Sequence, residues 1–261
     1  MGNVKAIFFD IDGTLMEMQK GIDDIPEAAK QEIRRIQQLG HKVFIASGRP
    51  SCFISKQLLS FGFDGFVLCN GAHVKIDDQE FKVPLDQEML IRLIERLKQN
   101  EFQYIIQTST YGYIKEDCTD MFAFYDKCNI NYDDIKTSFV LEEILPDTMK
   151  LEVWIKDDEE KVGRVVGEEF AYDCHGTGST FEVYSKSVSK ANGIKKVLEY
   201  LQIDNKDSYA FGDGTNDLQM FETVGTAIAM GNAEEIIKQH ADLVTDRIEN
   251  DGVAKMLKKL F

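Results

Sequence analysis

One stretch constrains the fold more than any other: VKAIFFDIDGTL, residues 4–15. Ala6 to Phe9 are apolar without alternation. A strand with one wet face alternates apolar and polar side chains. An unbroken run of β-formers instead needs cover on both faces, as in a parallel sheet between layers of helices. The run ends in Asp10 and Asp12, two carboxylates one residue apart. Like charges that close repel, and each loses hydration when buried. A bound cation is the simplest group that would offset the cost.

The rest of the first third keeps to this plan. Residues 26–40 place Pro26 where a helix begins, Ala29, Ile33, Ile36 and Leu39 near helical spacing, and Gly40 at the stop. HKVFIASGR (41–49) is a second buried strand, 51–63 a helix, and GFVLCNGA (65–72) a third strand. Strand and helix in alternation predict an α/β fold, a Rossmann-like parallel-sheet core.

The middle third differs. Residues 86–100 form an amphipathic helix, 102–116 two strands with a turn near Gly112, and 149–158 an alternating strand holding Trp154, the only tryptophan. A helix over 158–170 and a strand over 179–185 follow. This mixture predicts an inserted α+β cap over residues 82–187. The core is expected from residues 1–81 plus 188–261, where strands and helices alternate again: a helix over 190–203, a strand over 208–213, a helix over 215–224, a strand over 225–231, a helix over 233–241, a short strand over 242–246 and a closing helix over 251–261.

Composition narrows the partners. The chain has 261 residues, with 45 acidic against 30 basic and a net charge of −15. That balance argues against nucleic acid or an anionic membrane as a main partner. A small anionic substrate stays open, because a metal reverses the field inside a cleft. No obligate protein partner is evident. The five cysteines, Cys52, Cys69, Cys118, Cys128 and Cys174, form no CxxC motif and have no histidine at ligand spacing. Free thiols, the lack of a leader-like opening segment and the lack of a membrane-length apolar run lead us to expect a cytoplasmic protein.

In open α/β sheets ligands sit at the carboxyl ends of the strands. The first strand delivers Asp10 and Asp12 there, the second Ser47, Gly48 and Arg49, and the later core Gly212, Asp213, Asn216 and Asp217. Lys190 opens a helix in SVSKANGI. Carboxylates, a hydroxyl, an amide and one ammonium suit a magnesium and phosphate site: Mg2+ prefers hard oxygen ligands, and phosphate oxygens take lysine, hydroxyl and backbone N–H donors. Asp10 can then attack phosphorus to give an aspartyl-phosphate. Asp12 can protonate the leaving alcohol and later deprotonate the attacking water. Singly, each stretch has an ordinary explanation as a turn or helix cap; their joint order at strand ends carries the inference.

The four stretches DIDGTL, ASGR, Lys190 in VSKANGI, and GDGTND together resemble the haloacid dehalogenase superfamily of phosphohydrolases. PLD near residue 84, AIAMGNA and DLVTDRIENDGVAKML resemble its Cof-type subfamily, whose type II cap lies between the second and third motifs. The resemblance implies Asp10 as nucleophile and magnesium ligand. It implies Asp12 as general acid/base that ligates Mg2+ through its main-chain carbonyl, and Asp213 as a further ligand. Ser47, Lys190 and Asn216 would hold the phosphoryl group, with the Gly48 amide. Asp217 would orient a metal-bound water or Lys190.

The expected function is a Mg2+-dependent phosphatase acting on a small phosphorylated metabolite, a sugar phosphate by resemblance, with the cap closing over the substrate. A phosphomutase and a non-catalytic phosphometabolite-binding module are the alternatives. A dehalogenase has no use for Asp12 or a metal. His175, in the glycine-rich stretch 173–180, is a further candidate to line the substrate cleft.

Overall fold

A computed structural model describes residues 3–128, 130–155, 159–175 and 180–261, apart from the side chains of residues 19, 159, 160, 174 and 175. Along the chain the strands are β1 (Ala6–Phe9), β2 (Lys42–Ala46), β3 (Gly65–Leu68), β4 (His73–Ile76), β5 (Gln79–Lys82), β6 (Gln103–Thr108), β7 (Gly112–Ile114), β8 (Ile135–Lys136), β9 (Thr148–Trp154), β10 (Ala171–His175), β11 (Thr180–Tyr184), β12 (Ser208–Gly212), β13 (Thr226–Ala229) and β14 (Leu243–Val244). Two compact units emerge. One contains Met1–Gly48, Ser55–Phe81 and Ser189–Phe261; the other contains Arg49–Ile54 and Lys82–Val188.

The first unit is built on a sheet of order β14-β13-β12-β1-β2-β3-β4-β5. The pairings from β14 through β3 are parallel, and β4 is antiparallel to β3. β1 runs between β2 and β12, so chain order reverses there, and the loops after β1, β2 and β12 open at one edge. The unbroken apolar run is explained by packing on both faces. Phe8 stacks on Phe44 on one face, and Phe9 stacks on Phe211 on the other, with ring centroids 5.1 and 5.0 Å apart. Phe8 and Phe44 join Ile194, Val197, Met220 and Phe221 in one cluster.

The second unit has a sheet of order β10-β11-β9-β6-β7-β8, antiparallel except for the β7–β8 pair. The helices Gln87–Gln99 and Glu159–Val166 cover one face, packing Leu90, Leu93, Ile94 and Val162 on Ile106, Leu151 and Phe181. Met121 and Tyr125 pack with Ile105 and Ile114, with Phe122, Phe124 and Tyr132 around them. The residues between carry a buried polar row. Lys150 pairs with Glu182, and the Tyr125 hydroxyl donates to Glu152 at 2.7 Å.

The observed α/β core agrees with the sequence expectation of alternating elements, with local differences. Residues 51–63 do not form one helix. A short 3-10 turn at Ser51–Phe53 gives way to extended Ile54, and Ser55 caps a new helix, Lys56–Ser60, by accepting from Leu58 N at 3.2 Å. The hairpin strands β4 and β5 are absent from the sequence expectation; their polar composition hides them. Residues 215–224 split into a 3-10 turn, Thr215–Asp217, and a helix, Leu218–Phe221, because Asp217 ties its carboxylate to the preceding turn. Among residues 173–180, Asp173 to His175 end β10 and Thr180 opens β11. Residues 176–179 and the His175 side chain lie outside the described residues, so that cleft candidate has no structural account.

Cys52, Cys69 and Cys118 are buried, and Cys128 is half-buried. Among the described residues no helix is long and apolar enough to cross a membrane.

Candidate active site

The ladder itself places Asp10. Its backbone N–H donates to Phe211 O at 3.0 Å, extending the β1–β12 pairing one residue past the strand. The following chain turns sharply: Leu15 N and Met16 N both donate to Ile11 O, at 2.9 and 2.8 Å, and Gly13 N donates to Met16 O at 2.7 Å. Gly13 has φ +78°, and a Cβ there would lie 2.0 Å from Asp213 Oδ2. The turn therefore requires glycine twice over, for its left-handed backbone and for the carboxylate seated against its Cα.

Asp217 organises the opposite loop. Its Oδ2 accepts from the N–H groups of Asp213 and Gly214 at 2.9 and 3.0 Å, and its Oδ1 accepts from Lys190 Nζ at 2.7 Å. Gly212 leaves room for this: a Cβ there would meet Asp217 Oδ2 at 2.4 Å.

Lys190 begins the helix Lys190–Leu201, capped by Ser189, whose Oγ accepts from Asn192 N at 3.1 Å. That helix start is pressed onto the turn after β3. Gly71 has φ +90°, and a Cβ on it would strike Ser189 O at 2.0 Å. The Lys190 ammonium is buried and also donates to Asp10 Oδ1 at 2.6 Å.

One carboxylate oxygen from each of Asp10, Asp213 and Asp217 can be chosen so that all lie within 4.8 Å of one another. Among the described residues, Lys190 is the cation hydrogen-bonded within this group, to Asp10 and Asp217. Burial, with Asp217 and Asp213 nearby, holds the Asp10 carboxyl well above the usual carboxylate range despite the Lys190 ammonium beside it. Burial and the neighbouring Asp217 push Asp213 up to about 7. Burial alone would lower the Lys190 pKa, but Asp10 and Asp217 outweigh it and raise it, so the lysine stays charged. One ammonium among three carboxylates leaves excess negative charge, the condition a divalent cation relieves. Hard carboxylate oxygens are the donor set Mg2+ prefers, so the residues fit that ion.

The other sequence candidates are placed as follows. Asp12 is exposed in the turn after β1, in a parallel bridge with Met16. Ser47 is buried at the end of β2, its N–H donating to Val67 O at 2.8 Å, and half-buried Gly48 follows it. Asn216 is exposed in the Thr215–Asp217 turn. Arg49 belongs to the second unit and donates to Phe53 O at 3.1 Å.

Sequence reasoning passed over Thr14 and Asn232. Thr14 Oγ1 is 3.5 Å from Asp213 Oδ1, and Asn232 Nδ2 donates to Gly13 O at 2.8 Å and to Asp213 Oδ2 at 3.2 Å. Asn232 lies in AIAMGNA, just past the strand expected over 225–231, and no spacing rule marks its amide as facing Asp213.

Comparison with known proteins agrees with this geometry. The family model for haloacid dehalogenase-like hydrolases matches residues 7–257. A Bacillus subtilis (strain 168) protein named "Putative phosphatase YkrA" is 34% identical over 98% of this chain and 97% of its own. From the same organism, the 5-amino-6-(5-phospho-D-ribitylamino)uracil phosphatase YitU is 29% identical over 98% of this chain and 97% of its own. Among solved structures, the HAD subclass IIB sugar phosphatase BT4131 superposes with a TM-score of 0.81 at 26% identity, covering 98% of each chain. Fold, carboxylate cluster and kinship agree: this chain is an enzyme of the haloacid dehalogenase-like hydrolase family, related throughout its length to the phosphatases of that family.

Proposed function

We propose that this phosphatase is Mg2+-dependent and cytoplasmic, and that it hydrolyses small phosphorylated metabolites, sugar or sugar-alcohol phosphates among them, through an aspartyl-phosphate on Asp10. The observation that carries the proposal is the cluster of buried Asp10 and Asp217 with half-buried Asp213, the first two both bonded to Lys190. Asp10, Asp213 and the main-chain carbonyl of Asp12 would hold the ion. Asp217 already accepts from two backbone N–H groups and from Lys190, which suits it to supporting the others. When bound, Mg2+ supplies positive charge against the phosphoryl oxygens and the crowded carboxylates.

Asp10, at the end of the innermost strand, attacks phosphorus in line with the leaving oxygen. Lys190 holds the Asp10 carboxylate in one orientation and meets the charge that develops on the phosphoryl oxygens. The Ser47 hydroxyl, the Gly48 amide and the Asn216 side chain donate to the same group. Exposed Asp12 gives its proton to the departing alcohol, then takes one from the water that releases phosphate. Residues 82–187, with a sheet and cores of their own, serve as the cap that selects the leaving group. The sugar assignment draws on YitU and BT4131, whose named activities concern a phosphoribityl compound and sugar phosphates.

The test is phosphate release from a panel of hexose, pentose and polyol phosphates and an aryl phosphate, with Mg2+ and with chelator. Metal-dependent release of free phosphate, abolished in Asp10→Asn, is expected. Turnover that persists in Asp10→Asn, or isomerised sugar phosphate without free phosphate, overturns the proposal.

A further inference from the structure

Asn232 stands in the loop after β13, yet its side chain joins separate parts of the chain. Its Nδ2 donates to Gly13 O in the turn after β1, at 2.8 Å, and to Asp213 Oδ2 after β12, at 3.2 Å. Its Oδ1 accepts from Ile248 N, beyond β14, at 3.2 Å. That last bond fixes the amide's sense. A backbone N–H can only donate, so Oδ1 must face Ile248, and both donors of the Nδ2 group are left for Gly13 and Asp213. The loop that carries Asn232 is locked in turn. Gly231 N donates to Asp246 O at 3.1 Å, and a Cβ on Gly231 would lie 2.7 Å from Arg247 N.

Asp213 is therefore held on several sides: Asn232 at Oδ2, Thr14 Oγ1 beside Oδ1 at 3.5 Å, and Gly13 Cα against the carboxylate. The same amide grips the carbonyl of Gly13, the residue after Asp12. One side chain thus couples the turn that bears Asp12 to the carboxylate of Asp213. Outer partners of this kind orient ligands, and their loss typically costs tenfold or more in metal affinity.

We infer that Asn232 is a positioning residue for the divalent cation: it orients the Asp213 carboxylate and fixes the turn after β1, so that the cation's ligands from the two loops are arranged before the ion arrives. The inference rests on the proposal that Asp10 and Asp213 hold a divalent ion, and deepens it. It gives Asn232 no contact with substrate.

The experiment measures Mn2+ binding to the full-length protein without substrate, by the electron paramagnetic resonance signal of the free ion. Wild type is compared with Asn232→Ala and with Asn232→Leu, which keeps the volume and lacks the donor. Each variant's fold is checked by its melting curve. A dissociation constant raised about 10- to 100-fold in both variants is expected. The Mg2+ concentration for half-maximal phosphatase activity should rise by a similar factor, while KM for substrate at saturating Mg2+ stays within about threefold. A merely structural role would move melting without this split.

Folded variants that bind Mn2+ within twofold of wild type overturn the inference and leave the proposed function standing. Wild type that binds no Mn2+ overturns the cation proposal itself, and this inference with it. Should neither variant fold, the side-chain amide resonances of Asn232 in 15N-asparagine-labelled wild type decide. Their shift on adding Mg2+ supports the role, and their constancy overturns it.

Discussion

Lys190 and Asp10 lie 180 positions apart in the chain, and their side chains meet at 2.6 Å in a buried pair. The lysine also bonds Asp217 at 2.7 Å, so it links the loop after β1 to the loop after β12. Removing the ammonium from this buried set leaves its carboxylates uncompensated, at a cost of about 3–5 kcal/mol. Lys190→Met keeps much of the volume and removes the charge. We expect a lower melting temperature above pH 7, partly restored by Mg2+, and kcat reduced on the order of a hundredfold or more. Thermal melts with and without Mg2+, alongside turnover of an aryl phosphate, check this. A variant as stable and active as wild type would show that the pair neither holds the loops nor serves the reaction.

Asp10→Asn should separate stability from activity. Burial and the neighbouring carboxylates hold the Asp10 carboxyl well above its usual range even with Lys190 bonded to it. Ionised Asp10 is thus a net cost to the metal-free fold. Asparagine keeps the shape and removes that charge. The variant should melt higher than wild type at pH 8 in chelator, while turnover falls on the order of a thousandfold or more. Melting curves in chelator and phosphate release with Mg2+ are the measurements. A lower melting temperature would mean that the Lys190 attraction outweighs the desolvation.

The chelated protein should lose stability as pH rises. Asp213 holds its proton to about 7 when folded, above the ordinary 3.8, with burial the first cause and Asp217 the second. A carboxyl that binds its proton more tightly folded than unfolded stabilises the fold fully below about pH 4 and ceases to do so through about pH 7. Cation binding has the opposite dependence, because the ion displaces that proton. Apparent Mg2+ affinity should fall as pH drops below 7, approaching tenfold per pH unit, and Mg2+ should raise the melting temperature more at pH 8 than at pH 5.5. Calorimetric titration at several pH values tests both. An affinity flat between pH 5.5 and 8 would contradict the raised Asp213.

The positions of these groups were legible in the sequence to different degrees. Ala6 to Phe9 announced a strand covered on both faces, and Phe8 on Phe44 with Phe9 on Phe211 are the side chains that cover it. Strand ends followed from apolar runs, so Asp10, Ser47 and Asp213 could be assigned to one edge of the sheet. Polar strands such as Gln79–Lys82 were not legible, since their pairing is decided by a neighbouring strand and not by their own pattern. The Asn232 amide was not legible for a related reason. Side-chain hydrogen bonds between distant loops leave no periodicity, and only the folded backbone brings residue 232 to residues 13 and 213.

Asp12 differs from the buried carboxylates in being exposed. Its proposed roles are proton exchange with the alcohol and the water through its side chain, and a main-chain oxygen for the cation. Asp12→Asn should therefore lower turnover about a hundredfold or more, as for loss of a general acid/base. Mn2+ affinity should stay within about threefold, since only a main-chain oxygen is proposed to meet the ion. Substrates with better leaving groups need less proton donation, so an activated aryl phosphate should suffer less than a sugar phosphate. Equal losses on both, or a large drop in Mn2+ binding, would assign the carboxylate to the metal instead.

Gly13 gives the most direct test of the packing beneath the site. Its φ of +78° lies where a β-carbon is strained, and a Cβ there would sit 2.0 Å from Asp213 Oδ2. Backbone strain of this kind costs about 1–3 kcal/mol. The clash adds to it, because the carboxylate cannot retreat without giving up its bond to Asn232 at 3.2 Å. Gly13→Ala should lower the melting temperature and weaken Mn2+ binding together, since one methyl group both strains the turn and displaces the ligand. The gain in stability on adding Mg2+ should shrink in the variant, which separates ligand displacement from simple loss of fold. A destabilised Gly13→Ala with undiminished Mn2+ affinity would mean that Asp213 adjusts freely, and that the Gly13 contact shapes the turn without shaping the cation site.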